Sequence, residues 1–164
     1  MRKLIFMGIY LLYANSFGQT PIKDILNQFN DHSVPYIYVD ELSKLTTQPF
    51  LLDTREKAEH KVSHLEKAIH VGFDDFEISK VARHIKDKNK MIVVYCSIGV
   101  RSEIIGKQLI AKGYTAVYNL YGGIFEWTNR DKKVYSSKQQ ETQKVHAYSE
   151  QWSAYLLKGI KVYD

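Results

Sequence analysis

The stretch Met91-Ile92-Val93-Val94-Tyr95 is an unbroken apolar run rich in β-branched residues. A run of this kind belongs to a strand buried on both faces, which needs a parallel sheet covered by helices on either side. It ends on Cys96, the only cysteine in the chain, and a helical pattern begins at about Arg101-Ser102. A thiol between a buried strand and a helix N-terminus meets free backbone N–H groups and the positive end of the helix dipole, both of which favour an anion. Cys96 is therefore expected to be a nucleophile. The competing reading is a small buried hydrophobe, a common fate of free cysteine.

The rest of the chain repeats the alternation. Thr20-Pro21 starts an amphipathic helix with Ile22, Ile25, Leu26 and Phe29 on one face, and Ser33-Val34-Pro35 ends it. Tyr36–Val39, Phe50–Asp53, Ala68–Val71 and Ala116–Leu120 read as short strands. Between them lie a short helix after Asp40, a polar helix, and helices carrying Ile78, Val81, Ala82 and Ile85 and then Ile104, Ile105, Leu109 and Ile110. Short strands alternating with helices call for an α/β fold, a central parallel sheet of about five strands with helices on both faces. Ligands in such sheets sit beyond the carboxyl ends of the strands, the rim that both Asp53 and Cys96 should reach.

At 164 residues with 45% apolar content, the chain suits one globular domain with a full core. Arg2-Lys3, the apolar run Leu4–Tyr13 and Ser16-Phe17-Gly18 read as a signal peptide over residues 1–18, cut before Gln19 or, as the alternative, after Ser16. The other readings are an uncleaved anchor or a buried N-terminal helix. The apolar run is well short of the ~20 residues of a membrane span, so no stable membrane insertion is expected after processing. The mature chain would be exported, periplasmic or secreted. Losing Arg2 and Lys3 lowers the formal charge from +5 to +3. That suits small anions and is too weak and scattered for nucleic acid. A lone cysteine in an oxidising compartment can form no internal disulfide, so the fold rests on its core and the thiol calls for a functional reason.

Residues 19–35 are expected to form the N-terminal helix and lead-in, 36–129 the main domain, and 130–164 a polar loop with a C-terminal amphipathic helix over 141–158. Val145, Tyr148, Trp152, Tyr155 and Leu156 would form its apolar stripe, packed on the core or open to a protein partner. His60 and His64 are spaced i, i+4, yet a single pair makes an incomplete metal site, so no metal and no cofactor are expected.

Three blocks then match a known family. Leu51-Leu52-Asp53-Thr54-Arg55-Glu56 with His64-Leu65 and Ala68-Ile69-His70 resembles the first signature of rhodanese domains. Tyr95-Cys96-Ser97-Ile98-Gly99-Val100-Arg101-Ser102 resembles their active-site loop, and Leu120-Tyr121-Gly122-Gly123 with Trp127 their closing signature. The resemblance covers roughly Tyr36 to Asn129. It departs where the family has Gly before the His-Leu pair and Pro-Gly after it; Ser63 and Glu66-Lys67 stand there.

The resemblance implies a sulfurtransferase. Cys96 would take the outer sulfur of a donor such as thiosulfate, become a persulfide and pass the sulfur to a thiol or cyanide. Backbone N–H groups of Ser97, Ile98, Gly99, Val100 and Arg101 would cradle the sulfur, with Gly99 supplying freedom for the curl and Arg101 gripping a sulfonate in a bidentate way. Ser102 would cap the following helix, and Asp53 and Arg55 would support the loop or form an ion pair. Two alternatives stand beside this: a persulfide carrier or binding module with no turnover of its own, and a cysteine phosphatase. Phosphatases of this fold place five residues between Cys and Arg; here Ser97, Ile98, Gly99 and Val100 are four. The shorter loop favours sulfur over phosphate.

Overall fold

The apolar run becomes strand β4 (Ile92–Tyr95), with all four residues buried, in a computed structural model that describes residues 20–163. The expected signal peptide, residues 1–18, lies outside the described residues. Five parallel strands form one sheet in the order β1 (Tyr36–Ile37), β5 (Val117–Leu120), β4, β2 (Phe50–Asp53), β3 (Ile69–His70). The helices are α1 (Ile22–Phe29), α2 (Val39–Leu42), α3 (Lys57–Val62), α4 (Ile78–His84), α5 (Val100–Ala111) and α6 (Gly123–Asn129). Among the described residues no helix is long and apolar enough to cross a membrane. The expected α/β sheet with helices on both faces is present.

Strand alternation divides the core into two layers. Leu51 and Val93 are register partners and belong to one layer, with Leu120, Ile124 and Phe125. Leu52 and Val94, the next pair, belong to the other, with Val81, Ile105 and Leu109 of α4 and α5. The chain leaves β2 toward β3 on one side and leaves β4 toward β5 on the other. The crevice between β2 and β4 is thus a switch point, where ligands of open parallel sheets bind. Asp53 pairs with Tyr95 in register, which sets Cys96 immediately beyond that rim.

The C-terminal expectation is corrected. In place of one helix over 141–158 stand β7 (Glu141–Thr142), β8 (Lys144–His146), a single helical turn α7 (Glu150–Ser153) and β9 (Ile160–Val162). β7 forms an antiparallel ribbon with β6 (Val134–Tyr135), and β8 pairs with β9 in parallel. The spacing of Val145, Tyr148, Trp152 and Leu156 fits a helix, but Val145 and Ala147 also alternate as a strand does, and both are buried in the core. Tyr148 adopts a left-handed backbone, φ 67°, which breaks any helix there. Long-range pairing with β9 overrides the local period. The intended stripe residues Val145 and Leu156 are buried within the chain's own core.

Another local departure is Lys67, at φ 59°, where the sequences it resembles carry glycine. A side chain in this left-handed region costs about 1–2 kcal/mol, offset in part by the greater unfolded-state entropy of glycine. Lys67→Gly is expected to stabilise the protein by up to about 1 kcal/mol, read as a higher urea midpoint; an unchanged or lower midpoint would contradict strain at this turn.

Candidate functional site

Cys96 leaves β4 almost wholly buried, 1% exposed. The peptides that follow are turned by the groups that hold their carbonyls. Ile124 N–H donates to the Cys96 carbonyl at 2.9 Å and Phe125 N–H to that of Ser97 at 3.1 Å, both from the start of α6. The side-chain amides of Asn119 (2.8 Å) and Asn30 (3.0 Å) donate to the Gly99 carbonyl. With its carbonyl tied back and φ at 111°, Gly99 aims its N–H at Cys96 Sγ, 3.1 Å away. The approach of α6 requires Gly123, since a Cβ there would stand 2.3 Å from the Cys96 carbonyl oxygen.

The sulfur cradle is narrower than expected. Of the residues from Ser97 to Arg101, Gly99 supplies the amide hydrogen bond to sulfur. Ile98 and Val100 instead offer side chains to the pocket above the thiol, and Ser97 turns its hydroxyl to Glu59 Oε1 at 3.1 Å. Ser102 does not cap α5; the capping position is Gly99, and Ser102 lies in the first turn. Its hydroxyl sits 3.6 Å from Sγ and 2.7 Å from Asn119 Oδ1. One proton favours the shorter bond, so the hydroxyl is a polar neighbour of the sulfur rather than its main donor.

Arg101 is placed as expected but engaged otherwise. Its Nη1 and Nη2 donate to Glu59 Oε2 and Oε1 at 2.7 and 2.8 Å, and Nη2 also reaches Ser97 Oγ at 3.0 Å. The ring of Tyr148 covers the guanidinium at 4.6 Å. Burial would raise the Cys96 pKa; the Arg101 charge, the backbone N–H and hydroxyl of Ser102 and the backbone N–H of Gly99 outweigh it, and the thiol's pKa lies below its ordinary value. Above the sulfur opens a pocket of about 140 Å³, lined by the loop together with Tyr148 and Trp152.

Asp53 and Arg55 form a fully buried ion pair, Nε to Oδ1 at 2.9 Å and Nη2 to Oδ2 at 2.6 Å. The Tyr95 hydroxyl (2.9 Å) and His60 Nδ1 (2.9 Å) also donate to Asp53 Oδ2, and Arg55 Nη2 reaches the Ser63 carbonyl at 2.6 Å. Burial pushes the Asp53 carboxyl up, but the Arg55 charge and the His60 hydrogen bond hold it well below the usual carboxylate range. His60 stacks on His64, ring centres 4.1 Å apart. Sequence reasoning gave Glu59, Asn119 and Asn30 no part in this loop. Asn119 alone left a signal, a polar residue within an otherwise apolar strand.

Family comparison agrees with the geometry. The sequence model of the rhodanese-like domain matches residues 38–130, more than half of the chain. The chain belongs to the rhodanese-like family. Among curated relatives, the tRNA uridine(34) hydroxylase of Photorhabdus laumondii is 31% identical over 103 residues, 60% of this chain and 29% of that protein. The enzyme of the same name from Yersinia pestis is 31% identical over 105 residues, with the same shares. This chain thus spans less than a third of the length of these relatives. Among solved structures, a thiosulfate sulfurtransferase from Pseudomonas aeruginosa superposes with a TM-score of 0.60 at 19% identity, over 82% of this chain and 25% of that one. A rhodanese-like domain from Anabaena superposes with a TM-score of 0.55 at 19% identity, over 62% of this chain and 79% of that one. At these identities the superpositions show the fold.

Two measurements test the electrostatics of this rhodanese-like site. The pH dependence of Cys96 alkylation by iodoacetamide should have its midpoint below the ~8.5 of a free thiol, and Arg101→Gln should move it up; a midpoint at or above the free value would contradict the stabilised thiolate. Asp53→Asn leaves Arg55 buried and unpaired and should cost about 3–5 kcal/mol at neutral pH. Because folding depresses the Asp53 pKa, its contribution is present above the unfolded carboxyl value and fades as pH falls. The loss measured in urea should therefore shrink in acid; a loss independent of pH would exclude the ion pair as its source.

Proposed function

We propose that this chain is a sulfurtransferase that moves sulfane sulfur from a donor to a thiophilic acceptor through a persulfide on Cys96. The observation that carries the reading is the sulfur's own setting: a buried thiol at a switch-point rim, an N–H aimed at it from Gly99, and a small pocket in front. The first step needs only that thiolate. Cys96 Sγ attacks the outer sulfur of the donor, the donor S–S bond breaks, and the leaving group departs with the electron pair; thiosulfate would release sulfite. An acceptor thiolate or cyanide then attacks the outer persulfide sulfur and restores the Cys96 thiolate. Gly99 N–H favours sulfur anions at both stages.

The phosphatase alternative has less support. Four residues separate Cys96 from Arg101, and both terminal nitrogens of that arginine are held by Glu59. A phosphate would find neither a free guanidinium nor the longer loop. The hydroxylase activity named for the longer relatives belongs to proteins of which this chain matches 29%, and it is not carried over.

Incubation with sulfane-sulfur donors, thiosulfate and an organic thiosulfonate among them, should add the mass of one sulfur atom to Cys96. Cyanide or a thiol should then remove it with turnover, and Cys96→Ser should abolish the gain. An unmodified thiol after every donor would sink the proposal, while loading without catalytic turnover would favour a persulfide carrier.

A further inference from the structure

We infer that the site selects sulfur donors with a compact apolar body and at most one negative charge, and that Tyr148 and Trp152 read that body. This inference rests on the sulfurtransferase reading and adds the substrate class.

The cation expected to grip a doubly charged donor is already engaged. Arg101 is the one cationic side chain among the described residues lining the pocket. Its Nη1 and Nη2 face Glu59 at 2.7 and 2.8 Å, and Tyr148 lies over the guanidinium plane at 4.6 Å. Glu59 is itself buried, 3% exposed. Burial pushes its carboxyl up, but the Arg101 hydrogen bonds and charge keep it ionised. A dianion approaching the sulfur therefore meets a neutralised pair. To recruit Arg101 it would have to strand a buried carboxylate, a costly exchange.

What the pocket does offer is apolar surface. Ile98, Val100, Tyr148 and Trp152 line, beside Cys96, a space of about 140 Å³. A phenyl or short alkyl group fits such a space, and burying it is favourable. The aromatic wall is built before any ligand arrives. Tyr148 N–H donates to His146 Nδ1 at 3.1 Å within a left-handed turn. Trp152 sits in α7, its ring edge-on to Phe29 at 6.3 Å between centres. Pre-set walls spare the cost of ordering side chains on binding. Both residues lie beyond residues 38–130 matched by the family model, so the selectivity belongs to this chain's C-terminal segment.

The test compares Cys96 loading by thiosulfate, a dianion, and by benzenethiosulfonate, a monoanion with a phenyl body. With either, the Cys96 thiolate takes the outer sulfur, the S–S bond breaks, and sulfite or benzenesulfinate leaves with the pair. Each variant is scored by the ratio of the two loading rates, so a general loss of reactivity cancels. Tyr148→Asn tolerates the left-handed backbone, and Trp152→Leu keeps an apolar side chain at a half-buried position. Both should lower the benzenethiosulfonate-to-thiosulfate ratio at least tenfold. Glu59→Gln frees Arg101 and should lower it by speeding thiosulfate. A ratio unmoved by all three substitutions overturns the inference and leaves the transferase standing. Failure of both donors to load Cys96 overturns the transferase reading and the inference with it.

Discussion

Asp53 has no access to solvent, and its carboxylate ties three elements together. Its carboxylate accepts from Arg55 at the end of β2, from Tyr95 at the end of β4 and from His60 in α3. Arg55 extends the network to the Ser63 carbonyl at the far end of α3. A helix of six residues has little stability of its own, and this buried network fixes its place against the sheet. α3 then carries Glu59 to Arg101, and Arg101 sets the charge beside Cys96. The thiol is thus tuned through a chain of ion pairs that starts at a carboxylate it never meets.

Burying an ion pair brings a desolvation cost, which good geometry must offset. Here the two bonds between Arg55 and Asp53 run side by side, and the remaining acceptor positions of Asp53 are filled by Tyr95 and His60. Apolar residues could pack the same space. They could not hold three elements at once with fixed direction, which is what the placing of the Cys96 loop needs. The loop shows the same logic on a smaller scale. Its carbonyls are held by α6, Asn119 and Asn30, so the Gly99 amide has the sulfur as its partner.

The parts of this structure that were legible in the sequence are those governed by local pattern. The run Met91–Tyr95 announced a buried strand because a sheet covered on both faces leaves it no polar face. Asp53 and Cys96 followed onto one rim because parallel strands end together. Glu59 was hidden because a polar helix shows no period that says which face turns inward. Arg101 was read as free because its partner, Glu59, lies far away in the sequence. The C-terminal segment reads as one helix because Val145, Tyr148, Trp152 and Leu156 satisfy a helical spacing as well as their actual path, a strand, a left-handed turn and a single helical turn. Only pairing between β8 and β9, a contact distant in sequence, separates the two.

That last pairing also divides the structure by order along the chain. The sheet, the ion-pair network and the Cys96 loop come from residues that leave the ribosome before Lys144, whereas Tyr148 and Trp152 follow them and β9 comes later still. The aromatic side of the pocket is thus supplied last, by a segment added after the thiol and the groups that fix its loop.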